Sequence, residues 1–329
     1  MRLDGGMGSY DALLVVSFGG PEGPDDVMPF LENVVRGRGV PRERLLEVAE
    51  HYHRFGGVSP INRQCRELIE AIRPHVDLPI YWGNRNWHPF LADTLRRMAD
   101  DGVRRAAAFI TSAYSSYSSC RQYLDDIARA RAEVPGAPEV VRLRHYFDHP
   151  AFIAAFADHT AEAIGRLPEG LRDRARLVFT AHSIPLAMQE GSSPWRNGYV
   201  VQLRRVAGLV ADRVGRAEWD LVWQSRSGPP HVPWLEPDVC DHLRELAKEG
   251  VPAVVLVPIG FVTDHMEVIY DLDVEAADVA RELGIALTRA ATAGTHPRFA
   301  GMVAELLAEP EPVNCPDFCC PAPPRPGRP

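Results

Sequence analysis

The chain is short of lysine, of long apolar runs and of cysteine. Lys248 is the one lysine among 36 basic residues, and no basic run stands out, so the electrostatic footprint of a nucleic-acid binder is missing. A formal net charge of -8 points the same way and excludes nucleic acid as the main partner. No uninterrupted apolar stretch approaches the roughly 20 residues of a spanning helix, so stable membrane insertion is not expected. Residues 1–10 are glycine-rich and have neither the basic flank nor the apolar core of a secretory signal, so a cytoplasmic protein is expected. No long apolar stripe asks for a second subunit, and a monomer is expected. Of six cysteines, Cys315, Cys319 and Cys320 fall at the very end of the chain, where a cytosolic setting disfavours disulfides.

What is present is the composition of a globular enzyme, 46% hydrophobic and 24% charged, with 329 residues to build two domains. Short β-branched runs alternate with longer amphipathic stretches, the pattern of parallel sheets covered by helices, and the pattern occurs twice. The first half offers strands at 12–17, 79–82, 106–111 and 139–143, with helices near 25–36, 61–76, 89–100 and 118–132. The second offers strands at 176–181, 220–224, 253–258 and 286–289, with helices near 199–214, 237–248 and 265–283 and a last one at 296–308. The expected fold is α/β: two similar Rossmann-like domains, 1–148 and 149–309, each a parallel four-stranded sheet flanked by helices, then a Cys/Pro-rich tail, 310–329. Several strands end in polar or glycine-bearing loops, including Ser17-Phe18-Gly19-Gly20, Gly83-Asn84-Arg85, Ala181-His182-Ser183 and Gln224-Ser225-Arg226. Ligands of open parallel sheets sit beyond such strand ends, so these loops are expected to converge on a cleft between the domains.

His182 follows the apolar run Leu177-Val178-Phe179-Thr180-Ala181, which places an imidazole at the carboxyl end of a strand, able to bind a metal or accept a proton. Alone, such a histidine is more often satisfied by backbone hydrogen bonds. Its company is the segment after the strand at 253–258, where Glu267, Asp271 and Glu275 are spaced four and four. On a helix they form one carboxylate row, and like charges at this spacing repel unless something compensates. A solvated acidic face is the bland account; a path for a cation or for protons is the other, since oxygen ligands suit divalent cations that must later leave.

The phrases Ala181-His182-Ser183-Ile184-Pro185 and Gly260-Phe261 with Asp264-His265-Met266-Glu267-Val268-Ile269-Tyr270-Asp271 closely resemble the two signature segments of ferrochelatases. Ser17-Phe18-Gly19-Gly20-Pro21, Gly56-Gly57-Val58-Ser59-Pro60 and Trp223-Gln224-Ser225-Arg226-Ser227-Gly228-Pro229 with Pro233-Trp234-Leu235 are similar to further segments of that family, in its order, over residues 10–309. The resemblance implies two chelatase-type domains and insertion of ferrous iron into a porphyrin. His182 and Glu267 would then face each other across the ring, ligating iron and taking the pyrrole protons, with Asp271 and Glu275 extending the path. It also implies that Arg36, Arg38, Ser59 and Tyr123 meet propionates, with Phe18 and Trp223 completing the substrate site. Arginine suits a carboxylate because its planar fork donates two parallel hydrogen bonds. Phe18 stands where many bacterial members have tyrosine, so any axial oxygen contact is lost and the ring is left to pack.

One internal cysteine, Cys120, with Cys315, Cys319 and Cys320, resembles the pattern by which actinobacterial ferrochelatases hold a [2Fe-2S] cluster, four thiolates being its usual complement. A four-cysteine zinc site is chemically open, as are unligated thiols. Cys65 and Cys240 fall on helices and read as inert. The same likeness favours coproporphyrin III over protoporphyrin IX as the partner of Fe²⁺. A non-catalytic haem carrier and a chelatase of cobalt or nickel tetrapyrroles are the competing readings.

Overall fold

A computed structural model describes residues 10–37, 39–192, 198–228, 231–312, 315–316 and 319–322; Arg38 lies outside the described residues. Eight strands build two four-stranded sheets in which every pairing is parallel. In the first, β1 (Ala12–Ser17), β2 (Ile80–Asn84), β3 (Arg105–Ile110) and β4 (Glu139–Arg142) lie in the order β2-β1-β3-β4. In the second, β5 (Ala175–His182), β6 (Trp219–Gln224), β7 (Ala253–Val257) and β8 (Ala286–Arg289) lie in the order β6-β5-β7-β8. All eight expected strands are present, with no end displaced by more than two residues. β1 and β7 are buried at every position because helices cover both sheet faces, which is why they read as continuous apolar runs.

The chain divides into two compact units: Met1–Thr111, Tyr123–Arg144 and Ala300–Cys315 form one, and Ser112–Gln122, His145–Phe299 and Pro316–Pro329 the other. Neither is a contiguous half of the sequence. The first unit packs Leu14, Val16, Leu95, Met98, Ala108 and Ile127 into its core. The second packs Val178, Val222, Leu243, Leu256, Val268 and Leu272.

Among the described residues, four helices were not read from the sequence: the short Glu169–Arg172 and Leu186–Glu190, and the longer Arg42–His53 and Pro150–Arg166. The latter starts with proline at its first position, where the missing N–H costs nothing, and the His149 side chain accepts from Ala151 N at 3.2 Å. The single helix expected at 265–283 is three pieces: Met266–Val268, a π-helix at Ile269–Glu275, and Ala276–Glu282. Val268 and Leu272, both fully buried, pin this segment to the core beside the positions that carry Glu267 and Asp271. Among the described residues no helix is long and apolar enough to cross a membrane.

Candidate active site

β5 delivers His182 at its last position, paired in register with Gln224 at the end of β6. The Ser183 carbonyl lies 2.5 Å from His182 Nδ1 and can only accept, so Nδ1 carries the ring proton. In the neutral ring Nε2 then keeps its lone pair, and it lies 3.6 Å from Glu267 Oε2. Two donors at that separation can both reach one divalent ion at bond lengths of about 2.1 Å. Tyr199 donates its hydroxyl to the His182 carbonyl at 3.2 Å, which fixes the strand end from the other side. His265 completes the group: its Nδ1 lies 3.8 Å from the same Glu267 oxygen, and its ring packs against Phe261 at 4.9 Å. Burial lowers the His265 pKa, so the imidazole is held neutral.

Asp271 follows one turn along the π-helix. Removal from water, with Glu267 and Glu275 nearby, pushes its carboxyl up to about 8, while hydrogen bonds from Ser225 and Gln224 act in the opposite sense. Ser225 Oγ donates to Asp271 Oδ2. Ser225 stands in the left-handed region at φ 61°, a conformation that non-glycine residues adopt only where their surroundings demand it. Gln224 Nε2 approaches the Glu267 carbonyl at 3.4 Å and Asp271 Oδ2 at 3.5 Å. Glu275, at the far end of the row, is exposed. Of the three carboxylates, Asp271 is the one withdrawn from water, between a Glu267 that is 45% exposed and an exposed Glu275.

His182, Glu267 and Asp271 are thus brought together, with Glu275 at the outer end of the row. Among the described residues, however, no three His, Cys, Asp or Glu side chains converge on one ion. Ser225 and His265 are participants the sequence reading did not single out, although both lie inside segments it quoted. Trp223 belongs to the same unit, 4% exposed in β6 and 6.1 Å from the Tyr199 ring.

The remaining substrate-site expectations lie in the first unit. Phe18 follows β1 and packs edge-on against Phe30 at 6.3 Å. Arg85, unread from the sequence, joins it to Tyr123: the guanidinium lies 4.3 Å over the Tyr123 ring, 5.7 Å from that of Phe18, and 2.5 Å from Asp126. Arg85 was visible as the polar residue ending the β2 loop, but nothing in its type announced burial. Tyr123 is only 5% exposed, and burial raises its pKa. Ser59 is buried, with its N–H bonded to the Pro21 carbonyl at 2.9 Å. Arg36 is exposed just after the helix Val27–Val34.

Cys319 and Cys320 are both buried, with sulfurs 3.9 Å apart, close to the separation of two thiolates on one tetrahedral metal with bonds of about 2.3 Å. Cys120 is buried in the π-helical turn Tyr117–Arg121, 3.2 Å from His145 Nε2. Cys315 is half-buried, and Arg142 Nη2 approaches its sulfur at 3.7 Å. Cys65 is buried and Cys240 half-buried, and desolvation pushes their thiols up to about 11 and about 12.

The duplicated parallel sheet with its ionisable groups at strand ends is a chelatase architecture, and solved structures agree. SirB from Bacillus subtilis, determined with Fe³⁺, superposes with a TM-score of 0.57 at 14% identity, over 91% of this chain and 96% of that one. CbiX, the terminal enzyme of sirohaem biosynthesis in denitrifying bacteria, gives 0.50 at 16% identity, over 90% and 97%. The ferrochelatase family model matches residues 10–310, and the chain belongs to the ferrochelatase family. Among its relatives, the coproporphyrin III ferrochelatase of Nocardia farcinica is 59% identical across 92% of this chain and 88% of its own length. Those of Mycolicibacterium smegmatis and Streptomyces griseus are 59% and 52% identical, over 92% and 95% of this chain.

Proposed function

We propose that this ferrochelatase inserts Fe²⁺ into coproporphyrin III, giving Fe-coproporphyrin III and two protons. The observation that carries the reading is the 3.6 Å approach of His182 Nε2, from a strand end, to Glu267 Oε2, from the segment after a neighbouring strand. As iron bonds to the four ring nitrogens, the two pyrrole N–H bonds break and their protons need a base. The lone pair of His182 Nε2 takes the first, and Glu267 both steadies the resulting imidazolium and offers iron an oxygen donor. Protons pass outward by way of Asp271, whose raised affinity suits a carrier, and Glu275 returns them to solvent. Propionates are held by Arg36, Arg38, Ser59 and Tyr123, with Phe18 and Trp223 completing the substrate site. The choice of coproporphyrin III follows the relatives that bear that name at 52–59% identity over most of the chain.

The same reading places a [2Fe-2S] cluster on Cys120, Cys315, Cys319 and Cys320. Burial of three of these thiols and the 3.9 Å spacing of Cys319 and Cys320 favour it. When bound, the cluster supplies one-electron redox chemistry or a structural crosslink, and no step of insertion passes through it. We further infer a cytoplasmic monomer with no nucleic-acid partner, in keeping with the net charge of -8.

Anaerobic incubation of the purified protein with Fe²⁺ and either coproporphyrin III or protoporphyrin IX, followed by absorbance, tests the assignment. Faster insertion into coproporphyrin III is expected. Tight haem retention without turnover would overturn it in favour of a carrier.

A further inference from the structure

Three residues that face the reacting centre, His265, Glu267 and Asp271, lie between two other acidic residues, Asp264 and Asp273, that point elsewhere. Both of these meet the guanidinium of Arg289, the last residue of β8. Arg289 Nη1 lies 3.1 Å from Asp264 Oδ1, and Nε and Nη2 reach the two oxygens of Asp273 at 2.6 and 2.8 Å. The Arg289 and Asp264 side chains are 16% and 15% exposed, so this is a largely desolvated contact rather than a surface pair of little consequence. Arg289 is itself anchored. It pairs in register with Leu256 of β7, its carbonyl accepts from Arg166 Nη2 at 2.5 Å, and the next residue, Ala290, donates its N–H to the Leu256 carbonyl at 2.8 Å.

We propose that Arg289 is a positioning residue for iron insertion, clamping Asp264 and Asp273 so that the eight-residue segment between them holds Glu267 opposite His182. This rests on the reading under Proposed function. The carboxylate row supplies the reason for the clamp. Glu267, Asp271 and Glu275 are spaced four and four along the short helix Met266–Val268 and the π-helix that follows it, a spacing at which like charges repel, and Asp264 and Asp273 would add two more negative charges to the same stretch. A guanidinium that grips Asp264 and Asp273 offsets their charge and leaves Glu267 and Asp271, which lie between them, to face the cation. Its planar fork can engage two carboxylates at once, which a lysine ammonium cannot do with the same geometry.

The test compares the full-length wild type with Arg289→Ala and Arg289→Lys by Fe²⁺ insertion kinetics, porphyrin binding by fluorescence quenching, and thermal unfolding. For Arg289→Ala a kcat lower by about 10²-fold is expected, because displacement of about 1 Å at a reacting group has that effect. Porphyrin affinity should stay within about threefold, because the clamp does not touch the ring. Added guanidinium should restore part of the activity of Arg289→Ala and none of that of Arg289→Lys, whose ammonium occupies the place. A wild-type kcat in folded Arg289→Ala overturns the clamp, as does a kcat loss that guanidinium leaves unchanged and that tracks loss of folded protein. If Arg289→Ala does not accumulate, Asp273→Asn weakens the same contact at constant volume and should lower kcat by about tenfold; an unchanged kcat there overturns the proposal. Absence of insertion by the wild type sinks the functional reading and the clamp together, whereas active wild type with indifferent variants sinks the clamp alone.

Discussion

Replacement of Gly260 by alanine should disable the site without touching any reacting group. A Cβ built at Gly260 lies 2.6 Å from the Ala181 Cβ and 2.7 Å from its Cα, where ordinary contacts begin at 3.4 Å. The obstacle is a strand backbone with no rotamer to change, and Gly260 N–H is tied to the Thr180 carbonyl at 3.1 Å. The end of β5 must therefore retreat by about 0.8 Å, and His182 is the next residue along it. Overpacking of this kind destabilises by about 1–3 kcal/mol. A shift near 1 Å at a reacting imidazole lowers turnover by about 10²-fold. Gly208→Ala is the control, in the helix Tyr199–Arg213 of the same unit. Its Cβ would meet only the Trp219 ring at 3.7 Å, and alanine raises stability there by about 0.5–1 kcal/mol. Anaerobic insertion kinetics and thermal unfolding of both variants decide the matter. Gly260→Ala with wild-type kcat and unfolding temperature would refute the reasoning, because the strand end would then be free to move without consequence.

Three further outcomes are expected. His182→Ala should abolish insertion while fluorescence quenching shows porphyrin binding largely intact; loss of both together would mean that the imidazole holds the fold rather than the proton. Asp271→Asn tests the buried carboxyl by chemical denaturation across pH. A folded-state value raised from 3.8 to about 8 stabilises fully below pH 4 and is lost as pH climbs toward 8, so the variant should gain on wild type across that window, and parallel stability curves would refute the shift. Cys319→Ser and Cys320→Ser should each yield protein lacking the iron and visible absorbance of a cluster, and undiminished iron and sulfide content in both would remove these thiols from the ligand set.

The strands were legible because strands covered on both faces need continuous β-branched runs, and nothing else in the chain has that texture. The helix Pro150–Arg166 was not, because Phe152, Ile153, Ala154, Ala155, Phe156 and Ala157 are all buried and leave no polar stripe at helical spacing. The π-helix at Ile269–Glu275 was read as ordinary helix because residue type does not announce which carbonyl a backbone N–H will choose. His182 and Glu267 could be paired from sequence through the resemblance to ferrochelatases, while their positions showed only an imidazole at one strand end and a carboxylate in the segment after another strand. The environment of Asp271 could not, since Ser225 arrives from another strand end and its effect is tertiary. Arg289 and Arg85 were hidden by abundance: in a chain whose cations are nearly all arginine, composition does not mark which side chains are withdrawn from water.

The two sheets share one topology, and the strand-end side chains at corresponding register positions differ in what they can do chemically. The orders β2-β1-β3-β4 and β6-β5-β7-β8 are the same topology, and they place Ser17 opposite Asn84 where the second sheet places His182 opposite Gln224. In the first pair the polar groups are turned on their own surroundings: Cys65 donates to Ser17 Oγ at 3.1 Å, and Asn84 Nδ2 donates to Asn62 Oδ1 and the His88 carbonyl at 3.2 and 2.9 Å. A serine and an asparagine can satisfy a strand end, but neither titrates near neutrality. In the second pair, an imidazole presents a lone pair and the amide of Gln224 reaches toward Asp271, so the same two register positions become an acceptor and a support. The difference between scaffold and active centre at this location is thus two side chains on a common backbone. A His182→Ser substitution, which recreates the Ser17 arrangement, should accordingly give a folded, porphyrin-binding protein without insertion activity.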